Sequence, residues 1–355
     1  MKLYNYPMAN SKKRRKRKLN ARGKAFLALS CLAIILLAVL IISLESCKHR
    51  EPETSAEGTL TTLSTDIQET IPTETEAPTP TPLPTLDLLG GIYSNEAILI
   101  DAETGAVISE KNPDTQAYPA SVTKMMTLLI ACEQLTDYNE VYPLPREIYD
   151  TLYYQDLSTA GFECNEPITI NDLLYGLQLR SGAECCLGLA NRVAGSETAF
   201  VEMMNSRAEE LGMTNTHFMN CTGEHDVNHY STVRDMATLL RAGLQNDKFR
   251  EVFSTSVFQT TPTVTHPGGL IIYSTFSQTM NSMEFEGGTF IGGKTGYTSE
   301  AGQCLATAAT IDDHEYIFVT FGAYRAEGDT SSHLHTVDAI NTYEALAVEL
   351  SQIGG

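Results

Sequence analysis

The sequence has no tryptophan, only eight cysteines in 355 residues, and few basic residues outside its first fifty. With 42% hydrophobic residues, a chain this long has enough apolar side chains for a folded core, which excludes a disulfide-dense miniprotein. Residues 1–50 hold 12 of the 24 Lys and Arg and one of the 44 acidic residues. The remainder is therefore strongly acidic, which argues against nucleic-acid binding outside the N-terminus.

The histidines do not form a zinc-peptidase motif. His225 and His229 are spaced i, i+4, but no Glu follows His225, and His333 and His335 lie near the end of the chain. We interpret all four as surface or core histidines and predict no metal site. The Cys185–Cys186 pair has apolar neighbours, which favours buried thiols over a catalytic cysteine or a disulfide.

The N-terminal residues predict a membrane anchor. Residues 12–18 are all Lys or Arg, and residues 25–44 are uncharged. Twenty helical residues span about 30 Å, the thickness of the hydrocarbon layer, and a basic flank favours the cytoplasmic side. We predict a basic cytoplasmic tail over residues 1–24 and a transmembrane signal anchor over residues 25–45. A cleaved signal peptide, or a nucleic-acid-binding role for the basic run, are the alternatives.

A linker follows the predicted anchor. Residues 46–88 are rich in Thr, Pro and Glu and end in a proline-rich run at residues 77–84. Such a composition cannot bury a core, so we predict a disordered stalk. We assign residues 89–355, where the composition becomes globular, to one folded domain, which the predicted topology places outside the cell.

Strand patterns stand at both ends of this domain and helix patterns in its middle. We predict strands near residues 97–100, 106–108, 288–294, 303–311 and 315–324, and helices near 121–135 and 332–349. Cap residues mark three further helix starts, at Thr169 with Asp172, at Ser196, and at Thr232 with Asp235. The order predicts an α/β (α+β) fold, with one antiparallel sheet built from both ends of the domain and flanked by helices.

Three short motifs carry the chemistry. They are Ser121-Val-Thr-Lys124 at a helix start, Ser181-Gly-Ala183 at a turn between helices, and Lys294-Thr-Gly296 on a strand. Each is weak alone, but together and in this order they predict acyl transfer through a serine nucleophile.

The first motif can activate its own serine. Residues i and i+3 share a helix face, so the Lys124 amine can reach the Ser121 hydroxyl and take its proton. A lysine acts as a base only when neutral, which burial or a nearby cation such as Lys294 favours. The helix N-terminus also favours negative charge at Ser121.

The residues around these motifs resemble the serine D-alanyl-D-alanine carboxypeptidases, the low-molecular-mass penicillin-binding proteins. The resemblance is carried by Tyr118-Pro-Ala-Ser-Val-Thr-Lys124 and Gly292-Gly-Lys-Thr-Gly-Tyr-Thr298 and extends over roughly residues 92–325. It implies a β-lactamase/transpeptidase-like fold, peptidoglycan stem peptides as substrates, β-lactams as inhibitors, and no cofactor.

The resemblance also implies a role for each motif residue. Ser121 is the acyl-ester nucleophile, Lys124 the general base and Ser181 a proton relay to the leaving group. Lys294 and Thr295 lie near the terminal carboxylate of the substrate, and the backbone N–H groups of Ser121 and Tyr297 form the oxyanion hole. Gly293 and Gly296 flank the strand, where we expect the missing Cβ atoms to let a peptide lie close.

One position departs from the family pattern. The middle motif usually ends in Asn, and Ala183 stands there, followed by Glu184. We expect activity to be retained, because the nucleophile, the base and the Lys-Thr-Gly strand are intact. The alternative is a catalytically inactive module that only binds peptidoglycan.

Taken together, the residues predict a membrane-anchored serine D-alanyl-D-alanine carboxypeptidase of the bacterial cell envelope. It would remove the terminal D-Ala from stem pentapeptides through an acyl-enzyme. A β-lactamase is the enzymatic rival, since Glu163 and Glu166 precede the second motif and supply the carboxylate that would activate a deacylating water.

Overall fold

The computed structural model describes residues 85–155, 157–324 and 333–353. The predicted cytoplasmic tail, the transmembrane anchor and nearly all of the stalk lie outside these residues. No helix in the described ranges combines the length and apolar character needed to cross a membrane.

Strands dominate both ends of the described domain, and helices dominate its middle. The strands are β1 (Glu96–Asp101), β2 (Val107–Lys111), β3 (Val257–Gln259), β4 (Ile271–Tyr273), β5 (Glu284–Phe285), β6 (Gly288–Thr298), β7 (Gly302–Ile311) and β8 (His314–Ala323). The helices are α1 (Lys124–Gln134), α2 (Arg146–Gln155), α3 (Ile170–Arg180), α4 (Ala183–Ala194), α5 (Glu197–Glu210), α6 (Val233–Leu244), α7 (Asp247–Phe253) and α8 (Leu334–Ile353).

One antiparallel sheet joins the two ends of the domain, as predicted. Its strand order is β2-β1-β8-β7-β6-β5, so β1 pairs with β8, which is formed more than 200 residues later. The pairing of β6 with β5 ends at Thr289. The rest of β6, which carries Lys294, therefore forms a sheet edge in the part of the chain that the structure describes.

The sheet separates two apolar cores because successive strand residues point to opposite faces. In β1, Ile98 belongs to the core under the helical middle, and Leu99 belongs to the core under α8. Tyr343 of α8 is fully buried in that second core, with its ring 5.4 Å from the ring of Phe290. Helices thus cover both faces of the sheet, and the predicted fold class is confirmed.

Three of the predicted helix starts are confirmed by their cap geometry. Thr169 accepts a hydrogen bond from Asp172 N–H, and the Asp172 carboxylate accepts one in return from Thr169 N–H. Ser196 caps α5 and Thr232 caps α6 in the same way, each through its side-chain oxygen. Such caps satisfy N–H groups that have no partner within the helix.

The helix predicted from residue 121 begins differently. A single 3₁₀ turn, Ala120–Thr123, comes first, and α1 continues from Lys124. Nearly every residue of α1 is buried, which the apolar sequence predicts. Cys185 and Cys186, on the neighbouring α4, are buried free thiols, as predicted.

Candidate active site

The first motif places a hydroxyl and an amine in contact at the start of α1. Lys124 Nζ lies 2.9 Å from Ser121 Oγ, across one helical turn. Lys124 is only 2% exposed, while Ser121 is half-buried and lines a cleft. The predicted pair therefore meets, with its nitrogen shielded from water and its oxygen accessible.

A backbone carbonyl gives the Lys124 amine a second partner. Lys124 Nζ donates a hydrogen bond to the Thr222 carbonyl, which lies on the loop before α6. Sequence reasoning missed this contact, because a carbonyl is present at every residue and leaves no signature. It gives the amine a fixed partner besides Ser121.

The second and third motifs also meet. Lys294 Nζ donates to Ser181 Oγ at 3.0 Å and to the Thr295 carbonyl at 2.9 Å. Lys294 is fully buried, and Ser181 is 9% exposed. Ser181 ends α3 in a left-handed conformation with φ 59°, which turns its hydroxyl toward β6 and away from the helix.

The two motif lysines share a low-dielectric site. Burial, followed by the charge of Lys124, holds the pKa of the Lys294 ammonium well below its usual value. In the described part of the chain, neither lysine pairs with a carboxylate. The sequence-based expectation treated Lys294 as a cation that keeps Lys124 neutral and lies near the terminal carboxylate of the substrate. The structure adds that Lys294 is itself driven toward the neutral form.

The position that departs from the family is buried. Ala183 is 1% exposed at the start of α4, and its N–H donates to the Ser158 carbonyl at 2.9 Å. The next side chain, Glu184, does not enter the lysine–serine network. Its carboxylate instead accepts N–H groups from Ala160 and Gly161, and burial raises its pKa. Glu184 thereby fixes the loop that brings Ser158 to the cleft.

Two glycines of β6 contact protein atoms. A Cβ on Gly296 would lie 3.0 Å from the Pro119 carbonyl oxygen and 3.0 Å from Ser121 N. A Cβ on Gly293 would lie 2.7 Å from the Phe276 ring. The expectation that the missing side chains make room for a peptide is therefore wrong. Gly296 lets β6 approach the 3₁₀ turn that carries Ser121, Ala120–Thr123, which we call the catalytic turn. Gly293 lets the Phe276 ring pack against β6.

A cleft of about 980 Å³ runs past these groups. Ser121, Ser181, Thr295, Gly296 and Tyr297 all line it. Further lining residues were not identified from the sequence: Ser158, Thr275, Gln278, Thr279, Gly302, Gln303, Ala323, Tyr324, His333 and His335. Most are small or uncharged polar residues outside any motif, so no sequence signal marked them.

The structure also shows the surroundings of the two acidic residues, Glu163 and Glu166, that were considered for deacylation. No group of three or more His, Cys, Asp or Glu side chains suited to a metal ion occurs within the described ranges. Glu166 accepts hydrogen bonds from Thr263 and from Glu163 N–H and contacts His266, and neither Glu163 nor Glu166 lines the cleft. The structure therefore brings the three motifs together and leaves both candidate deacylation carboxylates outside.

The close approach at Gly296 predicts a measurable cost for one methyl group. In Gly296→Ala, β6 or the catalytic turn must shift by a few tenths of an ångström, which misaligns Ser121 N–H and Ser121 Oγ. We expect acylation by a labelled penicillin to slow about tenfold. Gly268→Ala is the matched control, because a Cβ there meets no atom within 4 Å, and its rate should stay within twofold of wild type. Equal rates for both variants would contradict the prediction.

Two buried histidines predict a loss of stability in mild acid. Burial lowers the pKa of His229 to about 4 and that of His335 to about 3. Below the ordinary value of 6.5, the unfolded chain binds protons that the folded chain does not. The contribution of these two histidines to the free energy of unfolding is therefore fully present above pH 6.5 and is lost as the pH drops toward 4. Urea titrations should show these histidines together lowering the unfolding free energy by about 2–4 kcal/mol between pH 7.5 and 4.5. The free energy of unfolding should change less steeply with pH in His335→Gln than in wild type. Parallel curves for the two proteins would refute the role given to His335.

Known proteins share this arrangement of sequence and fold. Residues 84–325 match the profile of the D-alanyl-D-alanine carboxypeptidase family. The D-alanyl-D-alanine carboxypeptidase DacF of Bacillus subtilis is 32% identical over 232 residues, which cover 65% of this chain and 57% of that protein. The D-alanyl-D-alanine carboxypeptidase of Streptomyces sp. strain K15 is 31% identical over 234 residues, covering 64% of this chain and 78% of that protein.

A solved structure supports the same relationship. The crystal structure of the Streptomyces K15 DD-transpeptidase superposes with a TM-score of 0.61 and 25% identity, covering 71% of this chain and 96% of that one. The matched region of this chain spans little more than half the length of the Bacillus relative. With the family profile matching well over half of its residues, the chain belongs to the D-alanyl-D-alanine carboxypeptidase family.

Proposed function

We propose that this chain is a serine D-alanyl-D-alanine carboxypeptidase that removes the terminal D-Ala from peptidoglycan stem pentapeptides. The observation that carries the proposal is the 2.9 Å contact between Lys124 Nζ and Ser121 Oγ at the base of a cleft that also contains Ser181 and Thr295. This geometry supports a buried amine as the base and an accessible hydroxyl as the nucleophile.

Acylation follows from these positions. Ser121 Oγ attacks the carbonyl carbon between the two D-Ala residues, and its proton passes to the Lys124 amine. The negative charge that develops on the carbonyl oxygen is stabilised by the N–H groups of Ser121 and Tyr297, and such donors contribute about 3 kcal/mol each. The carbon–nitrogen bond then breaks, which leaves an ester on Ser121.

The leaving amine needs a proton. We assign Ser181 Oγ, held by Lys294 Nζ at 3.0 Å, as the relay that passes the proton taken up by Lys124 to this amine, which returns Lys124 to the neutral form. D-Ala then departs, and water hydrolyses the ester with the Lys124 amine again acting as base.

Ala183 leaves the proposal intact. Ser121 contacts Lys124, and Ser181 contacts Lys294, without an amide at position 183, and Glu184 holds the adjacent loop. The inactive peptidoglycan-binding module predicts stem-peptide binding with no release of D-Ala. The β-lactamase alternative predicts rapid turnover of bound penicillin, which needs a carboxylate-activated water. Glu163 and Glu166 lie outside the cleft lining, so we expect bound penicillin to persist for minutes to hours.

We further propose that residues 25–45 hold the chain in the bacterial cell membrane, with the catalytic domain outside. This rests on the sequence of the N-terminal region alone, with its apolar run and basic flank. Removal of D-Ala would there limit the donor peptides available for cross-linking. Protease added to intact cells should digest the catalytic domain, and protection of the domain would place it inside the cell.

The direct test is mass spectrometry of a stem pentapeptide incubated with the full-length protein. We expect the tetrapeptide and one equivalent of free D-Ala, and we expect prior treatment with penicillin to prevent both by leaving a covalent adduct on Ser121. Intact pentapeptide, together with no penicillin adduct on folded protein, would falsify the proposal. Binding of pentapeptide without release of D-Ala would support the inactive module instead.

A further inference from the structure

The loop that supplies the Thr222 carbonyl is attached to α1 by two of its carbonyls. Lys124 Nζ donates to the Thr222 carbonyl, and Thr127 Oγ1 donates to the preceding carbonyl, Cys221, at 2.7 Å. We call residues 219–224 the 219–224 loop. Its position determines the direction of one hydrogen bond of the Lys124 amine.

The same loop also packs against the catalytic turn, Ala120–Thr123. Gly223 adopts φ +82°, and a Cβ there would clash with the Ala120 carbonyl oxygen, so only glycine fits at this position. The Asn220 side-chain oxygen closes the loop by accepting three successive backbone N–H groups, those of Thr222, Gly223 and Glu224. Internal hydrogen bonds therefore hold the loop together, in addition to its two bonds to α1.

His229 makes the connection. Its Nδ1 lies 3.2 Å from Met219 N, at the entry to the loop, and its Nε2 lies 2.8 Å from Thr123 Oγ1, in the catalytic turn. His229 is 2% exposed and Thr123 is fully buried. One imidazole ring therefore spans the turn that contains Ser121 and the loop that contains Thr222.

The partners determine the tautomer of the ring. A backbone N–H can only donate, so the nitrogen that faces Met219 carries no proton. In a neutral imidazole the proton then sits on Nε2, which donates to Thr123 Oγ1. We propose that His229, as the Nε2–H tautomer, is a positioning residue that fixes the 219–224 loop against the catalytic turn and so aims the Lys124 amine at Ser121.

The effect on chemistry follows from the geometry of an amine. When one Lys124 N–H is directed at the Thr222 carbonyl, the orientation of its lone pair toward Ser121 Oγ is restricted. Releasing the loop frees the amine to rotate, which slows proton transfer without changing the groups that line the cleft. This inference rests on the proposed function, because it assigns Lys124 as the base.

Two variants separate the two hydrogen bonds of His229, which together form what we call the His229 bridge. His229→Asn retains an acceptor for Met219 N–H but cannot reach Thr123, and His229→Gln retains a donor toward Thr123 but loses the acceptor. We expect each to lower the first-order rate constant for penicillin acylation about 10- to 100-fold. The dissociation constant of the preceding non-covalent complex should stay within twofold of wild type. His217→Gln, which removes a hydrogen bond to the Asn228 carbonyl on the same loop region, should leave both constants within twofold.

A measurement on the unaltered full-length protein guards against variants that fail to fold. Nitrogen-15 spectra of labelled histidine should show one buried imidazole in the Nε2–H form at neutral pH, and that signal should be missing from His229→Gln. An Nδ1–H tautomer, an unchanged acylation rate constant in a folded variant, or a loss confined to the dissociation constant would overturn the inference. If wild type neither releases D-Ala nor binds penicillin, the proposed function fails, whereas the bridge is still judged by the spectra.

Discussion

Replacing Ser121 with alanine should abolish both D-Ala release and covalent penicillin binding. The substitution removes the only atom assigned to bond with the substrate carbonyl carbon, while the Cβ, the backbone N–H and the 3₁₀ turn remain. Loss of a serine nucleophile in enzymes of this type lowers turnover by at least about 10⁴-fold. The measurements are free D-Ala from a stem pentapeptide and the intact mass of the penicillin-treated protein.

Non-covalent binding should survive this change. The cleft residues contributed by β6 are untouched, so Ser121→Ala should still bind the pentapeptide. Ser206→Ala is the matched control, because this exposed serine on α5 only bonds to the Glu202 carbonyl, and it should retain wild-type activity. A penicillin adduct on Ser121→Ala would show that another residue is the nucleophile and would remove the basis of the mechanism.

Lys124→Met should produce the second-largest loss. Methionine fills the volume of the lysine stem but has no nitrogen, so Ser121 loses its base and the Thr222 carbonyl loses a donor. Removal of a general base typically costs 10²–10⁴-fold in rate. An unpartnered buried carbonyl costs about 1–3 kcal/mol of stability. Single-turnover acylation and urea unfolding would measure the two effects separately.

Lys248→Met provides a control at a lysine whose side chain is also largely buried. Lys248 pairs with Glu251 at 2.9 Å and lies over the rings of Tyr138 and Tyr175, and none of these residues lines the cleft. Its acylation rate should stay within twofold of wild type. If Lys124→Met acylates as fast as this control, the proton of Ser121 goes to another group, and Lys124 has only a structural role.

Features with a short-range physical cause were predictable from the sequence. The i, i+3 spacing of Ser121 and Lys124 places both side chains on one helix face in any helical turn. The pairing of Thr169 with Asp172 predicts its cap because both hydrogen bonds lie within four residues. Short runs of mostly apolar and small residues likewise located β7 and β8 to within a residue or two.

Features that depend on distant backbone atoms were not predictable. The Thr222 carbonyl became a partner of Lys124 only because the fold brings that loop under α1. The reading of Gly293 as room for substrate failed because the Phe276 ring occupies that space. Glu184 directly follows the second motif in the sequence, but its carboxylate accepts a hydrogen bond from Ala160 N–H, which no local pattern marks.

The order of the strands has a consequence for how activity is acquired during synthesis. β1, near the start of the domain, completes its pairing only with β8, and the lysine on β6 is made long after the serine on the catalytic turn. Contacts this far apart along a chain close slowly. A ribosome-bound fragment that ends before β8 should therefore be inert toward antibiotic. In a pulse-labelling experiment, capture of a β-lactam would mark the moment at which maturation is finished.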